Sequence, residues 1–298
     1  MSDIKKSLVV IASSHYNKKN NKVLIEEAEK VFEKFLFAPI NKISIVEEKG
    51  KPKLLFRGQN LLEFDACYPR FGSRDHFMGE AVLSILDRSP VYTPVSLRGF
   101  QLSNHKYYSI KKLAEEKLPT VLTALSISPL VVEKISREFS FPLVLKLISG
   151  FAGKGVMRVE NGAQLKSILD TVHLFEEYIA TQKYVEGHSS DVRCYVFGEK
   201  VLTVKRVGAK GDWRANISRG GTAKIIRGPK AMQEAAVRAA KTLGFEICAV
   251  DFIQTKAVKE GFVIIEANFQ PGPFRKFLGN RVPMEMMQYI RSRLEKKK

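Results

Sequence analysis

Apolar runs broken by polar turns give the first outline of the chain. Residues 7–12 (SLVVIA) read as a buried strand, and residues 20–37 carry apolar positions at helical spacing. The chain is therefore expected to open as a β-α unit of a parallel-sheet lobe. Further strands are expected at 42–46, 54–56 and 65–68, before the proline-bounded stretch 90–94 interrupts the pattern near a boundary at residue 100. A basic helix is expected over 105–117, then a strand in VLTAL, then a helix from Pro129 to about residue 139. Strands at 143–148 and 155–159 flank a glycine-rich turn. Beyond Asp191, strands alternate with one helix whose apolar positions Met232, Ala235, Ala236, Ala239, Ala240 and Leu243 fit one face. Pro229 starts that helix and Gly244 stops it.

Composition narrows the class. With 45% hydrophobic and 27% charged residues over 298 positions, the chain reads as a globular protein of two or three lobes. No apolar run reaches bilayer length, and residues 1–6 lack the h-region of a secretory signal, so a cytoplasmic protein without membrane association is expected. Cys67, Cys194 and Cys248 show neither zinc-ligand nor disulfide spacing. The 49 Lys and Arg against 31 Asp and Glu give a net charge of +18, which should attract anions. Charge alone does not choose among nucleotides, acidic polypeptides, nucleic acid and anionic lipid.

The strongest local chemistry lies in ICAVDFI and FVIIEANF, two strand-like runs joined by the charged turn TKAVKEG. Antiparallel pairing about that turn sets Asp251 opposite Glu266, and Asn268, two residues on, shares the face of Glu266. Two opposed carboxylates repel unless a cation lies between them, and this oxygen set suits Mg²⁺. The bland reading is a solvated acidic hairpin face, but the carboxylates sit within apolar runs.

The segment KLISGFAGKGV places Gly150, Gly153 and Gly155 between two strands. It fits no Walker A or G-x-G-x-x-G pattern, and is either an ordinary hairpin or a backbone cradle for phosphate. Lys146, in the otherwise apolar PLVLKLI, favours a nearby anion. The stretch KRVGAKGDWRANISRGG adds Arg206, Lys210, Arg214, Asn216 and Arg219, with Trp213 as an anchor to the core. The histidines are scattered and form no catalytic set.

Taken in order, these segments resemble the RimK branch of the ATP-grasp ligases from about residue 65 to 287. The resemblance is carried by PRFG, Lys106, KLISGFAGKGV, QKYVEG with DVRCYVFGEKV, GDWRANISRGG, VDF and IEANFQPG. It implies an α/β protein of α+β lobes: an N-terminal parallel-sheet pre-ATP-grasp domain (1–100), a small lid subdomain (101–180) and a C-terminal subdomain with the metal site (181–298). On the matching positions, Lys106, Lys146 and the glycines 150, 153 and 155 would contact ATP phosphates. Gln182, Lys183, Tyr184 and Val185 would hold adenine, and Asp191 the ribose. Arg206, Arg214 and Asn216 would neutralise phosphate and acyl-phosphate charge as the catalytic set. Asp251, Glu266 and Asn268 would bind Mg²⁺, or Mn²⁺, with two ions expected.

The implied reaction is ATP-dependent amide formation through an acyl phosphate, releasing ADP. An amino acid such as L-glutamate would be joined to a carboxyl-bearing protein, peptide or cofactor, with Arg70, Arg214 and Arg219 meeting acceptor carboxylates. The rivals are a ligase of free amino acids and a non-catalytic basic protein binding nucleic acid or an acidic partner. Nucleic-acid recognition signatures are missing, and a homo-oligomer is compatible with the sequence. Three departures from the family pattern stand out: Lys183 in place of Glu, Phe269-Gln270 in place of Ala-Ser, and Phe151-Ala152 in the glycine-rich turn.

Overall fold

A computed structural model describes residues 6–13, 21–126, 132, 134, 138–148, 155–174, 178–215, 220–272 and 275–296. The chain opens with the wholly buried strand β1 (Ser7–Ala12), helix α1 (Lys22–Val31) and β2 (Lys34–Pro39), which lies parallel to β1. The helical spacing read across 20–37 thus ends at Val31. The apolar run that follows has no length for a separate helix, and pairing with β1 satisfies its backbone as a strand. Strands β3 (Ser44–Glu48), β4 (Lys51–Phe56) and β5 (Gln59–Asn60) form a small antiparallel sheet. β6 (Ala66–Arg70) then completes the parallel order β2-β1-β6.

Helices α2 (His76–Leu86), α3 (Leu97–Asn104) and α4 (Lys106–Glu115) lead out of this lobe, and α3 runs across the boundary expected near residue 100. The chain next builds a four-stranded antiparallel sheet from β7 (Thr123–Ser126), β8 (Leu143–Leu147), β9 (Val156–Val159) and, after helix α5 (Gly162–His173), β10 (Ile179–Lys183). Its order is β7-β10-β8-β9. This sheet has its own core, in which Leu143, Leu145 and Ile179 meet Leu165 and Leu169 of α5. Sequence patterning did not reveal α5, and the helix expected after Pro129 lies mostly outside the described residues.

The last part is a five-stranded antiparallel sheet of order β13-β12-β11-β14-β15. It comprises β11 (Ser190–Phe197), β12 (Lys200–Val207), β13 (Thr222–Ile225), β14 (Ile247–Gln254) and β15 (Phe262–Asn268). Helix α6 (Lys230–Leu243) buries the face read from its spacing, and Gly244 ends it in the left-handed region at φ +76°. The short α7 (Arg275–Leu278) and α8 (Arg281–Lys296) follow, and α8 buries Met286, Ile290 and Leu294 in a core shared with β1 and α1. Among the described residues no helix is long and apolar enough to cross a membrane.

The N-terminal lobe is bonded to the large sheet by close packing. Phe71, Phe100 and Phe269 form an edge-to-face chain with centroids 5.5 and 5.6 Å apart, and Phe245 adjoins Phe269 at 6.1 Å. Gly99 of α3 lies against the end of α6, where a Cβ would fall 2.6 Å from Leu243 O and 2.9 Å from Phe245 Cε1. Gly99→Ala should therefore destabilise the protein by about 1–3 kcal/mol in urea unfolding. Gly162→Ala, where an added Cβ meets nothing within 4 Å at the start of α5, should be neutral or stabilising by up to about 1 kcal/mol.

Candidate active site

The four-stranded and five-stranded sheets face each other across a cleft. Strand alternation decides what enters it. In β11 the odd positions Asp191 and Arg193 point to the cleft side, while Val192, Cys194 and Val196 pack in the core beneath α6. The register sets Asp191 opposite Arg206 of β12, and Arg193 opposite Asp251 of β14. Asp251 in turn lies opposite Glu266 of β15, the arrangement read from the symmetry of the hairpin turn. The register shifts just beyond this pair, between Asp251 and Phe252.

These charges are closed into a network. Arg206 donates from Nε and Nη2 to both oxygens of Asp191, at 2.6 and 2.5 Å, and from Nη2 to Asp251 Oδ2 at 2.9 Å. Arg193 clasps Asp251 through Nε to Oδ1 and Nη2 to Oδ2, both at 2.6 Å. Burial opposes ionisation of Asp251, but the two guanidinium groups more than offset it and hold the carboxyl well below the usual range. For Asp191, burial outweighs the attraction of Arg206, and the neighbouring Asp251 charge adds to it, so its pKa is pushed up to about 6.

Around this network stand the other cations. Lys106 of α4 donates to Ile148 O at 2.9 Å and Lys146 of β8 approaches Ile265 O at 3.5 Å. Burial lowers the proton affinity of both lysines, and the Glu266 charge partly restores it. Asn268 Nδ2 donates to Glu266 Oε1 at 2.9 Å. Arg214 is paired with Asp212 (Nε to Oδ1, 2.9 Å) and donates from Nη1 to Val156 O at 3.2 Å, so it spans the cleft to β9.

At the far end, Gln182 Nε2 donates to Thr123 Oγ1 at 3.1 Å, while the amides of Lys183 and Tyr184 are bonded to Leu122 O and Pro142 O. The Tyr184 ring lies edge-on to Trp213 at 6.0 Å, with Arg158 above it at 4.3 Å.

The cleft lining thus brings together Lys106, Lys146, Gln182, Lys183, Tyr184 and Val185 with Asp191, Arg206, Arg214, Asp251, Glu266 and Asn268. Gly155 is described, with φ +72°, but does not line it. Gly150, Gly153, Asn216 and Arg219 lie outside the described residues. Arg70 is also not part of the lining; only 6% exposed, it donates to Asn21 Oδ1 at 2.5 Å and to Pro271 O at 3.3 Å. Trp213, expected as a core anchor, lines the cleft instead.

Sequence reading passed over Arg193. Its signal was an arginine inside an apolar strand, two residues from Asp191 and so on the same face.

Among the described residues no group of three or more His, Cys, Asp or Glu could hold a metal. The donor set of Asp251, Glu266 and the Asn268 amide nevertheless fits a hard cation, because Mg²⁺ takes one or two protein carboxylates and completes its shell from water and phosphate oxygen.

Comparison with known proteins agrees with this geometry. The profile described as RimK-like ATP-grasp domain matches residues 103–290, and that described as RimK PreATP-grasp domain matches residues 8–99. A probable alpha-L-glutamate ligase 1 of Shewanella denitrificans is 32% identical over 225 residues, covering 74% of this chain and 75% of that protein. Two solved structures share the fold. The ATP-grasp ligase PsnB complexed with minimal precursor, Mg and ADP superposes with a TM-score of 0.73 at 16% identity, covering 99% of each chain. The D-alanine–D-alanine ligase of Bacillus anthracis complexed with ATP gives 0.67 at 18%, covering 98% of this chain and 99% of that one.

The buried network makes a prediction that needs no ligand. Arg206→Met leaves Asp191 buried without its cation and should cost about 3–5 kcal/mol in urea unfolding. The double variant Arg206→Met, Asp191→Leu should recover most of that loss, a coupling read directly from the double-mutant cycle.

Proposed function

The chain belongs to the RimK-like ATP-grasp family, and on that premise we propose that it joins an amino acid, L-glutamate first, to a carboxyl-bearing protein, peptide or cofactor. It is an ATP-dependent, ADP-forming ligase that makes an amide bond, and ATP and Mg²⁺ serve that chemistry across the family. The observation that carries the substrate reading is the charge of the cleft. Among the described residues of its lining, Lys106, Lys146, Lys183, Arg193, Arg206 and Arg214 stand against Asp191, Asp251 and Glu266, six cations against three anions. That excess suits a triphosphate together with a second anionic group.

A carboxylate is a poor acyl donor, because its leaving group would be oxide. An acceptor carboxylate oxygen attacks the γ-phosphorus of ATP, the bond to the β-phosphate oxygen breaks, and ADP departs. The amine nitrogen then attacks the acyl carbon, phosphate leaves, and the amine gives up a proton to solvent. No side chain need act as nucleophile; the residues position and neutralise.

Lys106 and Lys146, bonded to backbone carbonyls beside the cleft, would meet phosphate oxygens, and the glycines 150, 153 and 155 would close the same grip. Gln182, Lys183, Tyr184 and Val185 offer an edge for the base and Asp191 an acceptor for sugar hydroxyls. Arg206, Arg214 and Asn216 would neutralise charge during transfer, and Arg214 and Arg219 would face acceptor carboxylates. Arg70 supports this side through the Pro271 carbonyl. Asp251, Glu266 and Asn268 would hold Mg²⁺, or Mn²⁺, which supplies charge neutralisation between phosphate groups; two ions are part of the proposal. A cytoplasmic setting accords with three buried free cysteines.

The test is ADP release measured with L-glutamate and an acidic peptide, with the product identified by mass spectrometry. A peptide heavier by one glutamyl residue is expected, and release with free amino acids alone would overturn the acceptor assignment. Glu266→Gln should lower turnover by about 10²-fold or more, the scale of losing one group that stabilises developing charge. Its melting temperature should stay near that of the parent protein, since Glu266 is half-buried and the amide keeps its shape and an oxygen for the bond from Asn268.

A further inference from the structure

Arg193 has no part in the steps above, yet its Nε and both terminal nitrogens are all bonded. The register makes it the first member of a row, Arg193–Asp251–Glu266, that crosses three strands directly. Only 9% exposed, it spends its donors in two directions. Nε and Nη2 grip Asp251, and Nη1 donates to Gly272 O at 2.8 Å. Gly272 lies four residues past Asn268, where the chain has left the hairpin, and the preceding carbonyl, Pro271 O, is held by Arg70 from the other lobe. A buried ion pair contributes little net stability compared with well-packed apolar residues, so packing alone is a weak reason for an arginine here.

The bonds also decide what Asp251 has left to offer. Two carboxylate oxygens carry about four lone-pair sites. Arg193 occupies one on each oxygen, and Arg206 occupies the second on Oδ2. Among the described residues, the remaining site is on Oδ1.

We propose that Arg193 is a positioning residue for the ligase reaction: it orients Asp251 so that Oδ1 alone is presented to a cation, and it ties that carboxylate to the 269–272 segment. The proposal rests on the reading of Asp251 and Glu266 as cation ligands. One guanidinium thereby sets the cation site and the backbone leaving it as a unit. Lysine has the charge but not the planar fork, and cannot make all three bonds in the same geometry.

The test uses the full chain with ATP and Mn²⁺, reading bound Mn²⁺ by electron paramagnetic resonance and amide exchange over 269–272 by mass spectrometry. Unsubstituted protein should bind Mn²⁺ in the presence of ATP, and Glu266→Gln should lose that binding. Folded Arg193→Lys should bind Mn²⁺ about 10–100-fold more weakly, the usual effect of removing a group that orients a metal ligand. Its ATP affinity in EDTA should be little changed, and its exchange over 269–272 faster. If Glu266→Gln binds Mn²⁺ as tightly as the parent, the cation reading fails and this proposal falls with it. If Glu266→Gln behaves as stated but folded Arg193→Lys binds Mn²⁺ like the parent, positioning alone is overturned and Arg193 is structural. Should the variant not fold, the unsubstituted protein decides: Mn²⁺ with ATP must slow exchange over 269–272 relative to ATP in EDTA, and equal exchange overturns the proposal.

Discussion

Four ionised side chains in the middle of one sheet must largely satisfy one another, because each is at most 9% exposed. Arg206 with Asp191 and Arg193 with Asp251 are direct cross-strand pairs, joined by the bond from Arg206 to Asp251. Each ion taken from water costs several kcal/mol, and only near-ideal geometry offsets that. The sheet supplies the geometry through its register. A slip of one residue in any of the three strands would turn its charges into the apolar layer beneath α6, where Cys194, Val250 and Phe252 now pack, and break the pairs. The hydrophobic core and the charged network therefore fix each other, and the cleft inherits its shape from both.

The segment that follows the hairpin is held by a second kind of constraint. Phe269 stands where the resemblance leads one to expect a small residue, and its ring completes the chain from Phe71 through Phe100 to Phe245. Next to it, the Gln270 side-chain amide donates to Phe71 O. The departure from the family pattern thus has a packing partner in this chain: the segment after the hairpin is joined to the lobe that carries Arg70. Aromatic contact and side-chain hydrogen bonds to backbone carbonyls fix its position.

Much of this was legible in the amino-acid order because two local rules were obeyed. Centring the hairpin on its charged turn anticipated the facing of Asp251 and Glu266, although it is the register shift beside Asp251 that brings Glu266, and not Ile265, opposite it; a proline and a glycine marked both ends of α6. The errors arose where local spacing is ambiguous. The apolar positions of 34–39 fit a helix or a strand, and only the edge of β1 decides between them. Arg193 was passed over because its meaning depends on the strand that comes to lie beside it 58 positions later. Trp213 was read as an anchor to the core, whereas it lies edge-on to Tyr184 and lines the cleft. The roles of Gly150, Gly153, Asn216 and Arg219 stand on the resemblance alone, since these residues lie outside the described part of the chain.

Trp213 carries one more consequence. It is the single tryptophan among 298 residues, and it stands in the cleft wall with an arginine 5.7 Å from its ring. Light absorbed at the red edge of the protein spectrum is therefore absorbed at one place, and the emitted colour and intensity depend on the polarity and charge of that place. The chain holds its own optical gauge in the wall of the cleft, with no second indole to dilute the signal and no label to disturb it.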